Sequence, residues 1–205
     1  MANRKHLPAE ERRELTIRTV LDLCSRGNPS RVTMASIADA MRVTQGALFR
    51  HFRGKDDIWC AVIDWAAKRL MRRVDRAVEQ ATTPGEALRA LFMTHVVFIT
   101  EHPGVPRMLM GELQHPEPTP ARRIARSLLE AYRQRVSAVL SEGRDGGEFA
   151  PDLDVDAAAV QFIGTIQGMV LQSLMVGDVS RIRGQAPRLL ELYMRGIGAA
   201  RRGHD

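Results

Sequence analysis

The stretch Ile37–Phe52, IADAMRVTQGALFRHF, holds two short amphipathic segments on either side of Arg42-Val43-Thr44. Apolar side chains recur within each segment at the three- and four-residue intervals of an α-helix. These are Ile37, Ala38, Met41, Leu48 and Phe52. The spacing predicts a helix over Met34–Met41, a three-residue turn, and a second helix over Gln45–Phe52.

Start signals for both helices support this interpretation. Thr33 and Thr44 stand directly before the two segments, where a threonine hydroxyl is a good N-cap. Val43 and Leu48 have the spacing of a hydrophobic staple, which fixes the angle at which the chain enters the second helix. A bracing helix, a tight turn and a second helix whose first half meets the major groove make a helix-turn-helix.

The charge distribution favours a nucleic-acid partner for this segment. Residues 1–55 carry 11 basic and 5 acidic side chains, so they hold the whole net charge of +6, while the other 150 residues are neutral. A basic N-terminal quarter on a neutral body is typical of proteins that bind DNA or an anionic membrane surface. A solvated basic face with no partner is the alternative. The membrane interpretation is weaker because the basic residues flank a turn between short helices.

Helical periodicity continues along the rest of the chain, and strand-type alternation is hard to find. The fold class predicted is therefore all-α, with about nine helices. Further helices are expected at about 8–26, 55–81, 84–101, 104–114, 120–143, 154–177 and 184–200. We expect a DNA-binding domain over residues 1–54 and a ligand-binding and dimerisation domain over residues 55–205.

The segment Ile37–Phe52, with Lys55-Asp56-Asp57-Ile58 after it, resembles the TetR (tetracycline-repressor-like) family of transcriptional regulators. Length and helical layout agree with this resemblance. Two positions depart from the family pattern: Arg42 stands where the family usually has Gly, and Phe49 where it usually has Tyr. Arg42 therefore predicts either a turn that tolerates a side chain or backbone strain. Phe49 lacks the hydroxyl that would reach a phosphate.

Chemistry assigns separate DNA roles to the residues of the segment. Gln45 can bond base edges, Ala47 can pack on a thymine methyl, and Arg42 can pair with guanine. Phe49 is expected to make an apolar contact to sugar or to a thymine methyl. Phosphate contacts are predicted for Thr33, Thr44, Arg50, His51 and Lys55; the last resembles the family's backbone-contact lysine. A solvated helix face, and capping alone for the two threonines, are the alternatives.

The apolar helix predicted at about 154–177 needs burial on most sides. Gly164 and Gly168 let another backbone approach closely, so this helix and the last one could form half of a four-helix interface across a two-fold axis. The interface residues predicted are Phe162, Gly164, Gly168, Leu171, Leu189 and Tyr193. The resemblance implies the same homodimer, which would present two recognition helices to a palindromic operator in double-stranded DNA. A helix buried within one subunit is the alternative.

The middle helices carry apolar and methionine side chains that could line a pocket for a small apolar ligand, and the resemblance implies an inducer there. The residues predicted are Phe92, Met93, His95, Val96, Met108, Met110 and Gln167. Ordinary core filling is the alternative for the methionines. The effector itself is unknown, and a DNA-binding dimer without any effector is the competing hypothesis.

Other classes of function find little support in the sequence. Glu112 and His115 have the spacing of a di-iron bundle ligand pair, but no second such pair exists, so a metal-dependent enzyme is a weak alternative. No Gly-rich phosphate loop or nucleophile elbow appears, and no cofactor is predicted. We expect a repressor in the cytoplasm that is not an enzyme. No targeting segment is expected, and Ala157–Val176 is judged too polar to span a membrane.

Overall fold

The computed structural model describes residues Pro8–Gly198, which form nine α-helices and no strand. The helices are α1 Ala9–Arg26, α2 Met34–Met41, α3 Gln45–Phe49, α4 Lys55–Glu79, α5 Pro84–Glu101, α6 Gly104–Glu112, α7 Pro120–Asp145, α8 Val155–Val176 and α9 Ile182–Gly196. Short 3-10 turns at Pro29–Arg31 and Val179–Arg181 precede α2 and α9. The all-α prediction is confirmed.

Most helix limits match the sequence prediction within two residues, and α3 is the main exception. We predicted that α3 would run to Phe52, but it ends at Phe49. The backbone amides of His51 and Phe52 both bond the Leu48 carbonyl, so the chain turns there. That turn still buries the Phe52 ring, which is 1% exposed. At the other end of the chain, the predicted residues 199–200 of the last helix lie outside the described residues.

The described residues fall into two compact units. The first holds the described residues up to Lys68 together with His102–Arg126, and the second holds Arg69–Glu101 with the residues from Ser127 onward. Helix α6 thus belongs with the N-terminal helices, which the sequence did not predict. The functional boundary after residue 54 stays a prediction.

In the first unit, α1 packs against both α2 and α6. Its inward residues Ile17, Val20, Leu21 and Cys24 are buried. Gly104 at the start of α6 lies so close to α1 that a Cβ there would be 2.3 Å from the Leu21 carbonyl oxygen. Only a glycine allows this backbone approach, so α6 is fitted directly to the first helix of the DNA-binding segment.

In the second unit, α9 packs against α5 and α8 around an aromatic core. The Phe162 ring stands edge-on to Phe92 and to Tyr193, with both centroid distances 5.3 Å. The Tyr193 hydroxyl donates to the Ala158 carbonyl at 3.0 Å, which satisfies the one polar group of this cluster.

Helix α8 is more apolar than the sequence prediction allowed. By length and composition alone it could cross a membrane, with a mean hydropathy of 1.4 over its most apolar window, so the judgement that it is too polar was wrong. Only 39% of that window is buried. Large apolar side chains remain exposed on its surface, at Val160, Leu171, Met175 and Val176.

Candidate nucleic-acid interface

Helices α2 and α3 begin at the two predicted threonine caps. The Thr33 hydroxyl oxygen accepts from the Ser36 amide at 3.1 Å, and the Ser36 hydroxyl accepts from the Thr33 amide at 2.9 Å, which completes a capping box. The Thr44 hydroxyl oxygen accepts from the Ala47 amide at 3.3 Å. Both caps are confirmed, and they fix where each helix starts.

Capping and phosphate contact do not exclude each other at these threonines. A hydroxyl has one O–H donor and two acceptor lone pairs, and the cap uses the oxygen only as an acceptor. The O–H can therefore donate to a phosphate oxygen while the cap stays in place. Thr33 and Thr44 are both exposed, so their hydroxyls are accessible to a bound backbone. Their phosphate roles stay predictions.

Arg42 adopts the left-handed backbone conformation that a glycine normally supplies. Its φ is 57° and its ψ is 46°, and it is the one non-glycine residue with positive φ in the described part of the chain. Its amide bonds the Asp39 carbonyl, and the Val43 amide bonds the Ala38 carbonyl at 3.0 Å, which ends α2. The turn thus keeps the usual geometry, and the arginine bears the strain.

The side chains of α3 divide into a buried and an exposed set. Leu48 is 1% exposed and, with Phe52 beyond the helix and Ile37 of α2, forms the core that holds α3 in place. Gln45 is exposed at the first helical position, and Phe49 is 51% exposed one turn further along. Arg42 and Arg50 are also exposed, while Ala47 and His51 are partly exposed. The predicted base-contacting residues therefore share one accessible surface.

Arg13 of α1 was not predicted, and it joins α1 to the end of α3. Its guanidinium donates to the His51 carbonyl at 3.5 Å and lies 4.7 Å from the centre of the Phe52 ring. Arg13 is exposed, so it adds positive charge beside the recognition helix while fixing that helix against α1. A lone arginine on an amphipathic helix carries no sequence signal for this contact.

Lys55 is more constrained than its predicted phosphate role suggests. Its ammonium donates to the carbonyls of Pro29 and Ser30, at 3.4 and 3.3 Å, and lies 4.6 Å from the centre of the Trp59 ring. It thereby joins the start of α4 to the turn before α2. An ammonium has three donors, so one remains for a phosphate.

An acid next to this contact stabilises the start of α4. The Arg53 amide donates to the Asp57 carboxylate at 3.1 Å, and the Arg53 guanidinium lies beside the same oxygen. These hydrogen bonds and the arginine charge hold the pKa of Asp57 below its usual value. The carboxylate is therefore neutralised locally, and it takes little from the positive field that faces the recognition helix.

The predicted ligand residues do not form one cluster. Met108 and Met110 belong to the first unit, and the remaining five belong to the second. Phe92 and Val96 are fully buried core residues, and Gln167 is exposed on α8. Met93 lines an open groove of about 450 Å³ between α4 and α5, whose other lining residues are Arg73, Ala77, Gln80, Ala90, Thr94 and Val97. Tyr132, which was not predicted, contacts His95 in the interior.

The predicted dimer residues also divide into two sets. Phe162 and Tyr193 are 0% and 3% exposed and pack against each other inside their own subunit, so they support the surface from behind. Gly164 and Gly168 have open space where a Cβ would stand, and Leu171 is 50% exposed. Sequence reasoning missed Val160, Met175 and Leu192, which are 58%, 81% and 67% exposed.

The predicted metal pair is part of a local contact. The Glu112 carboxylate is buried and accepts a hydrogen bond from the Thr119 hydroxyl, while His115 is exposed. Between Pro8 and Gly198, no group of three or more histidine, cysteine or acidic side chains is placed to hold a metal ion. Glu112 therefore helps to join the end of α6 to the start of α7.

A capped helix-turn-helix with an exposed recognition face and a basic surround defines the class of helix-turn-helix DNA-binding proteins. Comparison with known families agrees. The model for bacterial regulatory proteins of the tetR family matches residues 19–62, and the model for the tetracyclin repressor-like C-terminal domain matches residues 81–171. The chain belongs to the TetR family of DNA-binding transcriptional regulators.

Individual relatives are more distant. The chain is 28% identical over 141 residues to the nucleoid occlusion factor SlmA of Vibrio atlanticus, covering 68% of this chain and 71% of that protein. It is 29% identical over 153 residues to the HTH-type transcriptional repressor KstR2 of Mycolicibacterium smegmatis, covering 73% and 72%. The crystal structure of the transcriptional regulator FadR from Bacillus subtilis in complex with stearoyl-CoA matches with a TM-score of 0.76 and 21% identity, covering 90% of this chain and 98% of that one.

Proposed function

We propose that the protein is a homodimeric repressor that binds a palindromic operator through α3 and is released from it by a small apolar ligand. The observation that carries the proposal is the exposed face of α3, with Gln45 and Phe49 one turn apart above a buried support. Arg13, Arg42 and Arg50 surround that face with positive charge. Since the DNA partner lies in the cytoplasm, we infer that location for the protein, and we infer a regulator with no enzymatic activity.

The stripe of exposed small and apolar residues along α8 supports the homodimer. Val160, Gly164, Gly168, Leu171 and Met175 recur every three or four residues and so share one side of the helix. Leu192 supplies a comparable exposed side chain on α9. An apolar helical face of this kind is unfavourable in water, and pairing with the same face of a second copy would bury it across a two-fold axis.

Two-fold symmetry sets the expected form of the operator. Two copies of α3 would meet successive major grooves about 34–36 Å apart, so the half-sites should be centred one DNA turn from each other. Arginine and lysine contacts to phosphates release counterions, and binding should weaken steeply as salt is added. This salt dependence and the palindrome are independent consequences of the same proposal.

Support for the ligand comes from the family and from the relatives. FadR was crystallised with stearoyl-CoA, and an apolar interior containing a few polar side chains suits an apolar effector here. A DNA-binding dimer with no effector remains the alternative. Operator release on addition of an apolar ligand distinguishes the two.

The proposal is tested by fluorescence anisotropy on labelled palindromic DNA from upstream of the gene. We expect Gln45→Ala to change base preference and Lys55→Met to weaken binding to all sequences alike, with a salt slope smaller by about 1. The methionine keeps an apolar stem over Trp59, and the melting temperature shows whether the fold is preserved. Lys68→Met is the matched control, because Lys68 lies on the same helix and pairs with Asp64. Unchanged affinity in both test variants would contradict the site.

A further inference from the structure

The interior of the second unit contains a hydrogen-bonded pair of polar side chains, His95 of α5 and Tyr132 of α7. The imidazole Nδ1 lies 3.0 Å from the tyrosine hydroxyl, and the two rings meet edge-on with centroids 4.9 Å apart. Phe92 and Val96, on the same helix as His95, are fully buried. The pair is thus a polar feature within an apolar core.

A count of protons shows that the pair keeps one hydrogen-bond donor unused. Burial lowers the pKa of His95 to about 4, so the imidazole is neutral at physiological pH and carries one N–H. Burial raises the pKa of Tyr132, so its hydroxyl stays protonated. The bond between the two residues uses one of these two protons. Neither residue has another hydrogen-bond partner in the described part of the chain.

Accessibility shows which of the two residues holds the unused donor. Tyr132 is 2% exposed, so its hydroxyl is sealed within protein. The His95 ring has lost its hydration and yet remains partly accessible to a water-sized probe, as expected for a side chain in the wall of an internal space. We therefore assign the Tyr132 O–H as donor to Nδ1, and the remaining proton to Nε2 on the accessible side of the ring.

We propose that the Nε2–H of His95 binds the carbonyl oxygen of an apolar effector, and that Tyr132 is a positioning residue that fixes the required tautomer. The inference rests on the effector part of the proposed function and names the chemical class of the ligand. A ketone, ester or thioester presents a neutral acceptor that matches a single neutral donor. A hydrocarbon would leave the donor unsatisfied, and a carboxylate would bring a desolvated charge without a cation.

Three probes of similar shape separate these classes: benzophenone, diphenylmethane and diphenylacetate. We expect benzophenone to bind the full-length protein roughly three- to tenfold more tightly than diphenylmethane, the range that one neutral hydrogen bond supports. Diphenylacetate should bind more weakly than benzophenone. Affinities come from the dependence of melting temperature on probe concentration. Irradiated benzophenone should label peptides from α5 and α7.

Substitutions then test the assigned atoms. His95→Phe should abolish the preference for the ketone, His95→Gln should retain part of it because the amide supplies a donor, and Tyr132→Phe should reduce it. Tyr193→Phe is the matched control, since this second buried tyrosine is bonded to the Ala158 carbonyl, and it should leave the preference unchanged. The melting temperature of each variant without probe reports whether it folds.

Equal affinity for the ketone and the hydrocarbon, or stronger binding of the carboxylate, would overturn the inference, as would labelling confined to other helices. Failure of all three probes to bind would overturn it as well. These outcomes leave the DNA-binding proposal intact, because operator binding is measured without any ligand.

Discussion

Replacing Arg42 with glycine should raise the stability of the protein and lower its affinity for DNA. The left-handed conformation at φ 57° costs a residue with a Cβ about 1–2 kcal/mol. Glycine removes that cost but adds about 0.5–1 kcal/mol of unfolded-state entropy. The expected net gain is about 0.5–1 kcal/mol, which corresponds to a melting temperature higher by roughly 1–4 °C for a chain of this length.

The affinity of the same variant should change in the opposite direction. If the exposed guanidinium pairs with guanine, its loss costs about 1–3 kcal/mol, or about 5- to 150-fold in affinity. Thermal melting and fluorescence anisotropy on operator DNA measure the two effects. Arg42→Lys keeps the charge and the backbone strain, so it should melt near the parent. Arg72→Gln removes an exposed arginine from the second unit and should leave DNA affinity nearly unchanged.

Two results would refute this reasoning. A lower melting temperature in Arg42→Gly would mean that the turn does not strain the arginine. A higher melting temperature with unchanged operator affinity would mean that the side chain makes no contact with DNA, and that the departure from glycine at this position has no role in recognition.

Three further predictions concern a cap, a buried histidine and the proposed dimer face. Thr44→Ala should lower the free energy of unfolding by about 1 kcal/mol in urea denaturation, because the Ala47 amide loses its partner, whereas Thr44→Ser should stay near the parent. His95 is held neutral by burial, so its contribution to stability is fully present above the unfolded-state pKa of 6.5 and is lost as the pH falls through about 4; in urea titrations across this range, His95→Phe should show a weaker acid dependence, and an unchanged profile would contradict the assignment. Gly164→Phe should leave the melting of the subunit fold intact, since nothing lies within 4 Å of a Cβ there, but light scattering should find it monomeric; the same change at the exposed Ala131 of α7 should leave the dimer in place, and a dimeric Gly164→Phe protein would argue against the α8 face.

The sequence predicted the helix-turn-helix well because its signals are local. Caps, the staple and the spacing of Ile37, Met41 and Leu48 all act within one or two helical turns, and the structure confirms each helix start. The end of α3 was missed because Phe52 is buried at helical spacing but is brought there by a turn. Periodicity reports which residues are buried, and it does not report how the backbone brings them inside.

Long-range packing was harder to predict, because it depends on which apolar surfaces meet. Helix α8 is apolar on all sides, so its hydrophobic pattern does not distinguish the inward Phe162 from the outward Val160. The contact of Gly104 with the Leu21 carbonyl joins residues 83 positions apart, and one glycine gives no signal of it. The same holds for Tyr132, whose partner His95 lies on a different helix.

Selection of bound DNA from a random pool tests the central claim most directly. The full-length protein should enrich a two-fold symmetric sequence whose half-sites are centred about one helical turn, roughly 34–36 Å, apart. The Gln45→Ala protein should enrich a sequence with altered bases at matched positions in both halves. Enrichment of no sequence, or of one without two-fold symmetry, would contradict a homodimer that recognises its operator through α3.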